Sequence, residues 1–238
     1  MQRLYSYVRQ AIETYGMIRE GDHIAVGISG GKDSLTLLYA LAGIRRFYPK
    51  QFSLTAITVH LGLPGMDFTP IRALCEELQV PYEVVETQIG EIVFDVRKEK
   101  QPCALCAKLR KGALNEKALA LGCNKIAYAH HRDDFVDTLF LSLVQEGRIA
   151  SLSPHYMLER TGLTLIRPLM LVPEAQIRGF CRKYELPVVK NNCPADGNTA
   201  REKVKGAIGQ LQQQYPDIRE RAFTAICRAD FDDWMRDE

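Results

Sequence analysis

Apolar positions follow two rhythms along this chain. Leu4, Val8, Ile12 and Tyr15 recur at helical spacing, so the first segment reads as an amphipathic helix. His23 to Ile28 is a short, mostly apolar run closed by Ser29-Gly30-Gly31, the pattern of a buried strand running into a turn. Lys32 to Ile44 returns to the helical rhythm. Phe52 to Val59, rich in Thr, Ile and Val, predicts a second strand; Thr69 to Leu78 predicts a helix and Pro81 to Glu86 a third strand. After a polar basic stretch from Val96 to Pro102, Leu105 to Leu121 reads as a helix capped by Gly122. Lys125 to Ala129 predicts a fourth strand, Asp133 to Gln145 a helix, and Leu163 to Ile166 a fifth strand. Pro173 opens a helix that runs to Tyr184, and Pro187 to Val189 is short and extended. Ala200 to Trp234 predicts two helices broken near Pro216.

Strands alternating with helices predict an α/β fold: a parallel sheet flanked by helices, with a helical C-terminal tail. The polar run from Lys190 to Thr199 is the one candidate boundary. It divides an α/β domain with an N-terminal helix, 1–189, from a cysteine-containing loop and helical tail, 190–238, packed on the same domain.

Composition adds exclusions. Of 238 residues, 46% are hydrophobic and 25% charged, which excludes a disordered or collagenous chain. No apolar run reaches the roughly 18 residues of a membrane span. Met1 to Glu20 interleaves Arg3, Arg9, Glu13 and Arg19 with apolar residues and does not read as a secretory signal. Seven cysteines, an odd number in a long chain, point to a cytoplasmic protein with reduced thiols, some of them ligands. Cys75, Cys123, Cys181 and Cys227 fall in or beside predicted elements and read as small buried side chains.

A net charge of +2 carries no argument for nucleic acid, so any such argument is local. Arg97 to Lys111 holds six basic residues against one acid, and Arg178 to Lys205 seven against three. Asp217 to Glu238 holds four against seven. The two basic stretches suit a phosphate backbone, although solvated helix faces would give the same counts.

Val26-Gly27-Ile28-Ser29-Gly30-Gly31-Lys32-Asp33-Ser34 ends the first predicted strand and opens a helix. In an open α/β sheet, ligands bind beyond the carboxyl ends of the strands. Paired glycines let backbone amides approach an anion, and a helix N-terminus adds free N–H groups. Ser29 and Ser34 offer hydroxyls and Lys32 a positive charge. Asp33 would repel a phosphate directly, so it is placed on a Mg²⁺ ion. A Walker loop needs glycine where Val26 stands and Ser or Thr where Asp33 stands, and the spacing is not Gly-x-Gly-x-x-Gly.

Cys103-Ala-Leu-Cys106 starts a helix, and Cys193 comes far downstream. A Cys-x-x-Cys pair alone is open between redox, zinc and iron–sulfur roles. Three thiols lack the fourth ligand of a closed structural zinc site. On a cubane they would leave one iron free. Between these lies Ala129-His130-His131-Arg132-Asp133-Asp134, where adjacent histidines point to opposite sides. His60 and Arg167 each end a predicted strand.

Ser29-Gly30-Gly31-Lys32-Asp33-Ser34 resembles the signature of PP-loop ATP pyrophosphatases, which split ATP between the α and β phosphates. That resemblance implies a HUP-type, adenine-nucleotide α-hydrolase-like sheet. Cys103 to Gly112, the His-His-Arg-Asp-Asp run and Ile166-Arg167-Pro168-Leu169 together resemble the TtcA family of tRNA 2-thiocytidine synthetases, from about Tyr5 to Phe231. The TtcA resemblance implies a site and a reaction. ATP would bind Ser29, Gly30, Gly31, Lys32, Asp33, Ser34, His60, His131 and Arg167. Asp33, Asp133 and Lys111 would be catalytic, Asp33 would hold Mg²⁺, and Cys103, Cys106 and Cys193 would hold a 4Fe–4S cluster.

The reaction so implied adenylates the C2 oxygen of an anticodon-loop cytidine in tRNA and replaces it with sulfur. The sulfur source would be a cysteine desulfurase or free sulfide, and the resemblance also implies a homodimer. The alternatives are another PP-loop chemistry (lysidine synthesis, uridine 2-thiolation, a non-RNA substrate) or a non-catalytic ATP- and RNA-binding iron–sulfur module. The main reading demands that Cys193 meet Cys103 and Cys106 beside the serine–glycine loop.

Overall fold

The computed structural model describes residues 2–97, 102–189, 193 and 200–229. Lys98, Glu99 and Lys100 of the basic stretch lie outside the described residues. So do the loop 190–199 apart from Cys193, and the predicted tail helix beyond residue 229. No helix among the described residues is long and apolar enough to cross a membrane.

Six strands form one sheet: β1 (Asp22–Gly27), β2 (Phe52–His60), β3 (Tyr82–Glu86), β4 (Lys125–Ala127), β5 (His155–Met157) and β6 (Thr164–Ile166). Their order is β3-β2-β1-β4-β6-β5. All pairs are parallel except β5 with β6, so the sheet is mixed at one edge. The hydrophobic pattern did not reveal β5. Its three residues, His-Tyr-Met, carry no β-branched side chain. The strand exists because the chain folds back on β6, with Leu158 donating to the Leu163 carbonyl at 2.8 Å.

The helices are α1 (Gln2–Thr14), α2 (Lys32–Ile44), α3 (Thr69–Glu77), α4 (Ile89–Glu91), α5 (Pro102–Ala120), α6 (Arg132–Leu141), α7 (Glu174–Lys183), α8 (Ala200–Gln214) and α9 (Ile218–Arg228). α4 continues into a π-helical turn, Ile92–Val96, and α6 into another, Ser142–Glu146. Neither turn was expected from the pattern.

Alternation along β1 sorts side chains to two layers. Ile24 and Val26 join the larger core with Leu37, Leu41, Phe135 and Phe180, while Ala25 joins Ile57, Leu114 and Ile126 beneath α5. α2 is buried on nearly every side, with Leu35, Leu37, Leu38, Leu41 and Ile44 fully enclosed. At the amino end of the sheet, Lys125 Nζ meets Asp22 Oδ2 at 2.9 Å and donates to the Met17 carbonyl at 2.7 Å. Asn124 Nδ2 donates to the other Asp22 oxygen at 2.8 Å, so both buried charges are hydrogen-bonded.

The tail helices pack on α6: Phe223 meets Phe135 edge-on at 6.1 Å, and Arg219 Nη1 reaches Asp137 Oδ1 at 2.9 Å. From β1 the chain leaves to β2 on one side and β4 lies on the other. The crevice above that switch point is where such sheets bind ligands.

Candidate active site

A cleft of about 670 Å³ opens above the carboxyl ends of β1 and β4. One wall is the glycine loop. Ser34 Oγ donates to the Gly31 carbonyl at 2.9 Å and lies 3.1 Å from Ser29 Oγ, which accepts from Gly31 N–H at 3.3 Å. These bonds tie the turn to the first residues of α2. Gly30 has φ of +80°, and a Cβ there would lie 3.2 Å from the Val189 Cβ. Val189 N–H also donates to the Gly30 carbonyl at 3.0 Å, so the segment ahead of Cys193 is fastened to the loop. Ser29, Gly31, Asp33 and Ser34 line the cleft.

Gly30 and Lys32 are not among the lining residues. The Lys32 side chain turns to Asp33 at 2.9 Å and to Glu174 on α7 at 3.3 Å. Burial opposes its charge, and the two carboxylates more than offset that, so its pKa is raised. Glu174 also meets Lys205 at 3.2 Å. Burial works to raise the Glu174 pKa, but Lys205 and Lys32 outweigh it and pull the carboxyl down to about 2.

The opposite wall holds His130, Asp134, Arg110, Lys111 and Arg201. Lys111, expected to be catalytic, lines the cleft. Asp133 does not. Its Oδ2 accepts from the Glu174 N–H at 2.8 Å, satisfying the free N-terminus of α7, and its Oδ1 meets Arg219 at 3.5 Å. The next carboxylate, Asp134, faces the cleft instead. It accepts from His131 N–H at 2.9 Å and meets Arg201 at 3.5 Å. Burial raises the Asp134 pKa, with the Asp33 carboxylate adding to the effect against His131 and Arg201.

His131 is buried at 4% exposure, its Nε2 3.7 Å from Asp33 Oδ1. It stands behind Asp33, and the cleft histidine is His130. His60 is also absent from the lining: Nδ1 pairs with Glu86 at 2.6 Å and Nε2 lies 3.1 Å from the Leu63 carbonyl. The ring thus anchors the loop after β2. Arg167 is 4% exposed and lies behind His130 rather than on the surface.

Asp33 Oδ1 and His131 Nδ1 are sealed from solvent without a hydrogen-bond partner among the described residues. A sealed, unpartnered carboxylate oxygen at a phosphate loop fits a hard cation such as Mg²⁺.

The Cys193 thiol comes within electrostatic reach of Cys106 on α5. Cys103 and Cys106, three apart on α5, share a helix face. Burial raises the Cys106 pKa, Arg110 pulls it down, and the thiols of Cys193 and Cys103 push it up again. That mutual influence places Cys193, half-buried, near the pair despite its distance in sequence. Among the described residues, no three His, Cys, Asp or Glu side chains are gathered as tightly as a single bound ion needs. A cluster spreads its thiolates further than an ion does, and an all-thiol set is the soft donor set it takes. Arg110 connects the two regions: one turn along α5 from Cys106, its charge acts on that thiol, and it also lines the cleft.

Sequence reasoning gave no individual role to Arg110, Asp134, His130 or Arg201, although the first three stand in the motifs it singled out. Arg110 had a legible signal, its i+4 spacing from Cys106 on one helix. Arg201 had none, because a helix arriving from the tail supplies it.

The PP-loop domain family ATP_bind_3 matches residues 3–211. The tRNA-cytidine(32) 2-sulfurtransferase of Pelobacter propionicus is 39% identical over 228 residues, covering 94% of this chain and 85% of that protein. The protein of the same name from Geobacter sulfurreducens is 35% identical, covering 94% and 89%. Among solved structures, the U34-tRNA thiolase NcsA from Methanococcus maripaludis, described with its [4Fe-4S] cluster, superposes with a TM-score of 0.75. It is 24% identical, with 94% of this chain and 77% of that chain covered, a likeness of fold. The chain belongs to the PP-loop ATP_bind_3 family and, within it, to the tRNA-cytidine(32) 2-sulfurtransferases, the TtcA family.

Proposed function

We propose that the chain thiolates a tRNA cytidine at the expense of ATP. The base is the one at position 32, the position in its relatives' name. The observation that carries this reading is one cleft lined both by Ser29, Gly31, Asp33 and Ser34 of the glycine loop and by Arg110 and Lys111 of α5, the helix that carries Cys103 and Cys106. In outline, the C2 oxygen of cytidine attacks the α-phosphorus and pyrophosphate leaves. Sulfide then displaces AMP at C2, giving 2-thiocytidine.

The loop amides of Gly30 and Gly31 and the N-terminus of α2 would hold the pyrophosphate portion of ATP, with Ser29 and Ser34 donating hydroxyls. Asp33 would hold Mg²⁺, whose charge offsets that of the phosphates. Lys111 and Arg201, on the far wall, would meet negative charge that develops as the phosphorus is attacked. Asp134 would orient the incoming base or hold a proton, a role helped by its raised pKa. Cys103, Cys106 and Cys193 would hold a 4Fe–4S cluster, which when bound supplies an iron position free of protein thiolate for the incoming sulfur. The sulfur source in this reading is free sulfide or a cysteine desulfurase. A homodimer belongs to it by resemblance alone.

Anaerobic incubation of the iron-loaded chain with tRNA, ATP and sulfide tests the reading. Mass spectrometry should find 2-thiocytidine, with AMP and pyrophosphate formed in equal amount. A lysidine product or pyrophosphate release without any thionucleoside would overturn it.

A further inference from the structure

His130 and Arg167 form a unit to which the adenylation and sulfur steps give no task. Arg167 Nε donates to His130 Nδ1 at 3.2 Å. A guanidinium has no acceptor, so Nδ1 of the imidazole is the bare, accepting nitrogen. The neutral ring then carries its proton on Nε2, and a second proton cannot join Nδ1 without breaking the bond. Arg167 is itself fixed from three sides. It donates to the Ser153 carbonyl, lies 5.5 Å over the Tyr156 ring, and its backbone N–H binds the Pro154 carbonyl at 3.0 Å. Tyr128 packs edge-on against the His130 ring at 5.9 Å.

The charges around the ring point one way. Burial, then Arg167, Arg201, Lys111 and His131, all disfavour the imidazolium and push the His130 pKa down to about 3. Asp134, the carboxylate on the same wall, does not reverse this. Nε2 has no hydrogen bond among the described residues and belongs to a ring that lines the cleft.

We propose that His130 is a fixed neutral hydrogen-bond donor to an acceptor oxygen of the reacting groups, and that buried Arg167 is the positioning residue that sets its tautomer. The inference rests on the thiolation reading for the identity of those groups. Two oxygens share the required chemistry: the C2 oxygen of the pyrimidine and a non-bridging oxygen of the α-phosphate. Unlike a general acid, such a donor gives up no proton, so the rate should not follow a histidine titration.

Nitrogen-15 NMR of the imidazoles in the full chain tests this without turnover. His130 should show the Nε2–H neutral pattern and stay unprotonated from about pH 8 to pH 5. A shift of its Nε2 resonance on adding ATP alone assigns the phosphate oxygen; a shift only with tRNA assigns the base oxygen. Arg167→Lys, which keeps a charge but loses the Nε–H, should release the tautomer. Protonation of His130 near pH 6.5, an Nδ1–H tautomer, or no shift with either ligand would overturn the proposal. In kinetics, His130→Ala should slow pyrophosphate release on the order of 10²-fold, and His130→Gln, which returns an N–H donor, should recover much of it. Equal loss in both variants would count against a donor role. Absence of any thionucleoside, by contrast, would sink the thiolation reading and leave the NMR result and its ATP arm standing.

Discussion

Asp133 and Asp134 are neighbours in sequence and do unlike work. Asp133 closes the N-terminus of α7 and holds Arg219, while Asp134 stands on the cleft wall. Asp133→Ala should therefore cost about 2 kcal/mol in denaturant unfolding by stranding a helix N–H. Asp134→Asn should leave unfolding nearly unchanged and slow pyrophosphate release by roughly 10²-fold. Glu174 makes a second residue-level case. Its folded pKa, about 2, lies below the ordinary 4.5. Its ion pairs thus stabilise the fold fully above about pH 4.5, and that contribution fades as pH falls from there toward 2. Glu174→Gln should flatten the acid limb of the stability curve over that window, as read by thermal melts against pH.

At the scale of elements, the turn from β1 into α2 governs the phosphate side of the site. Gly30→Ala should cost about 1–3 kcal/mol, because an L side chain is strained at φ of +80° and crowds Val189. It should also raise the KM for ATP more than it lowers kcat. At the other end of the same strand, Asp22→Ala should cost about 3–5 kcal/mol by leaving Lys125 buried without its partner. Melting curves against the wild-type chain check both. α2 was legible to the residue in the sequence, since Gly31 and Arg45 bound an almost wholly apolar helix. β1 and β2 were legible within a residue because their burial is nearly continuous, β3 through its paired valines, and α7 through Pro173 and the helical spacing of Ile177, Phe180 and Cys181. β5 was not, because a three-residue edge strand is defined by its neighbour's backbone, not by its own side chains. The choice between His130 and His131, and between Asp133 and Asp134, turned on a rotation about α6 that no apolar period encodes.

Across the whole molecule, residues distant in sequence are brought to one place by topology. The sheet order sets the glycine loop beside His130, α5 brings Arg110 and Lys111, and α8 delivers Arg201. Val189 links the loop to the segment that leads to Cys193. The motifs announced the loop and the thiols as separate facts, and packing joins them through Arg110 and Val189. The proposed function makes adenylation and sulfur insertion separable by substitution. Nucleoside mass spectrometry of tRNA incubated anaerobically with the Cys193→Ser chain, ATP and sulfide reads that directly, with pyrophosphate counted in the same sample. Pyrophosphate should persist within a few-fold of wild type and 2-thiocytidine should vanish; 2-thiocytidine at the wild-type level would contradict a role for the third thiol in sulfur transfer.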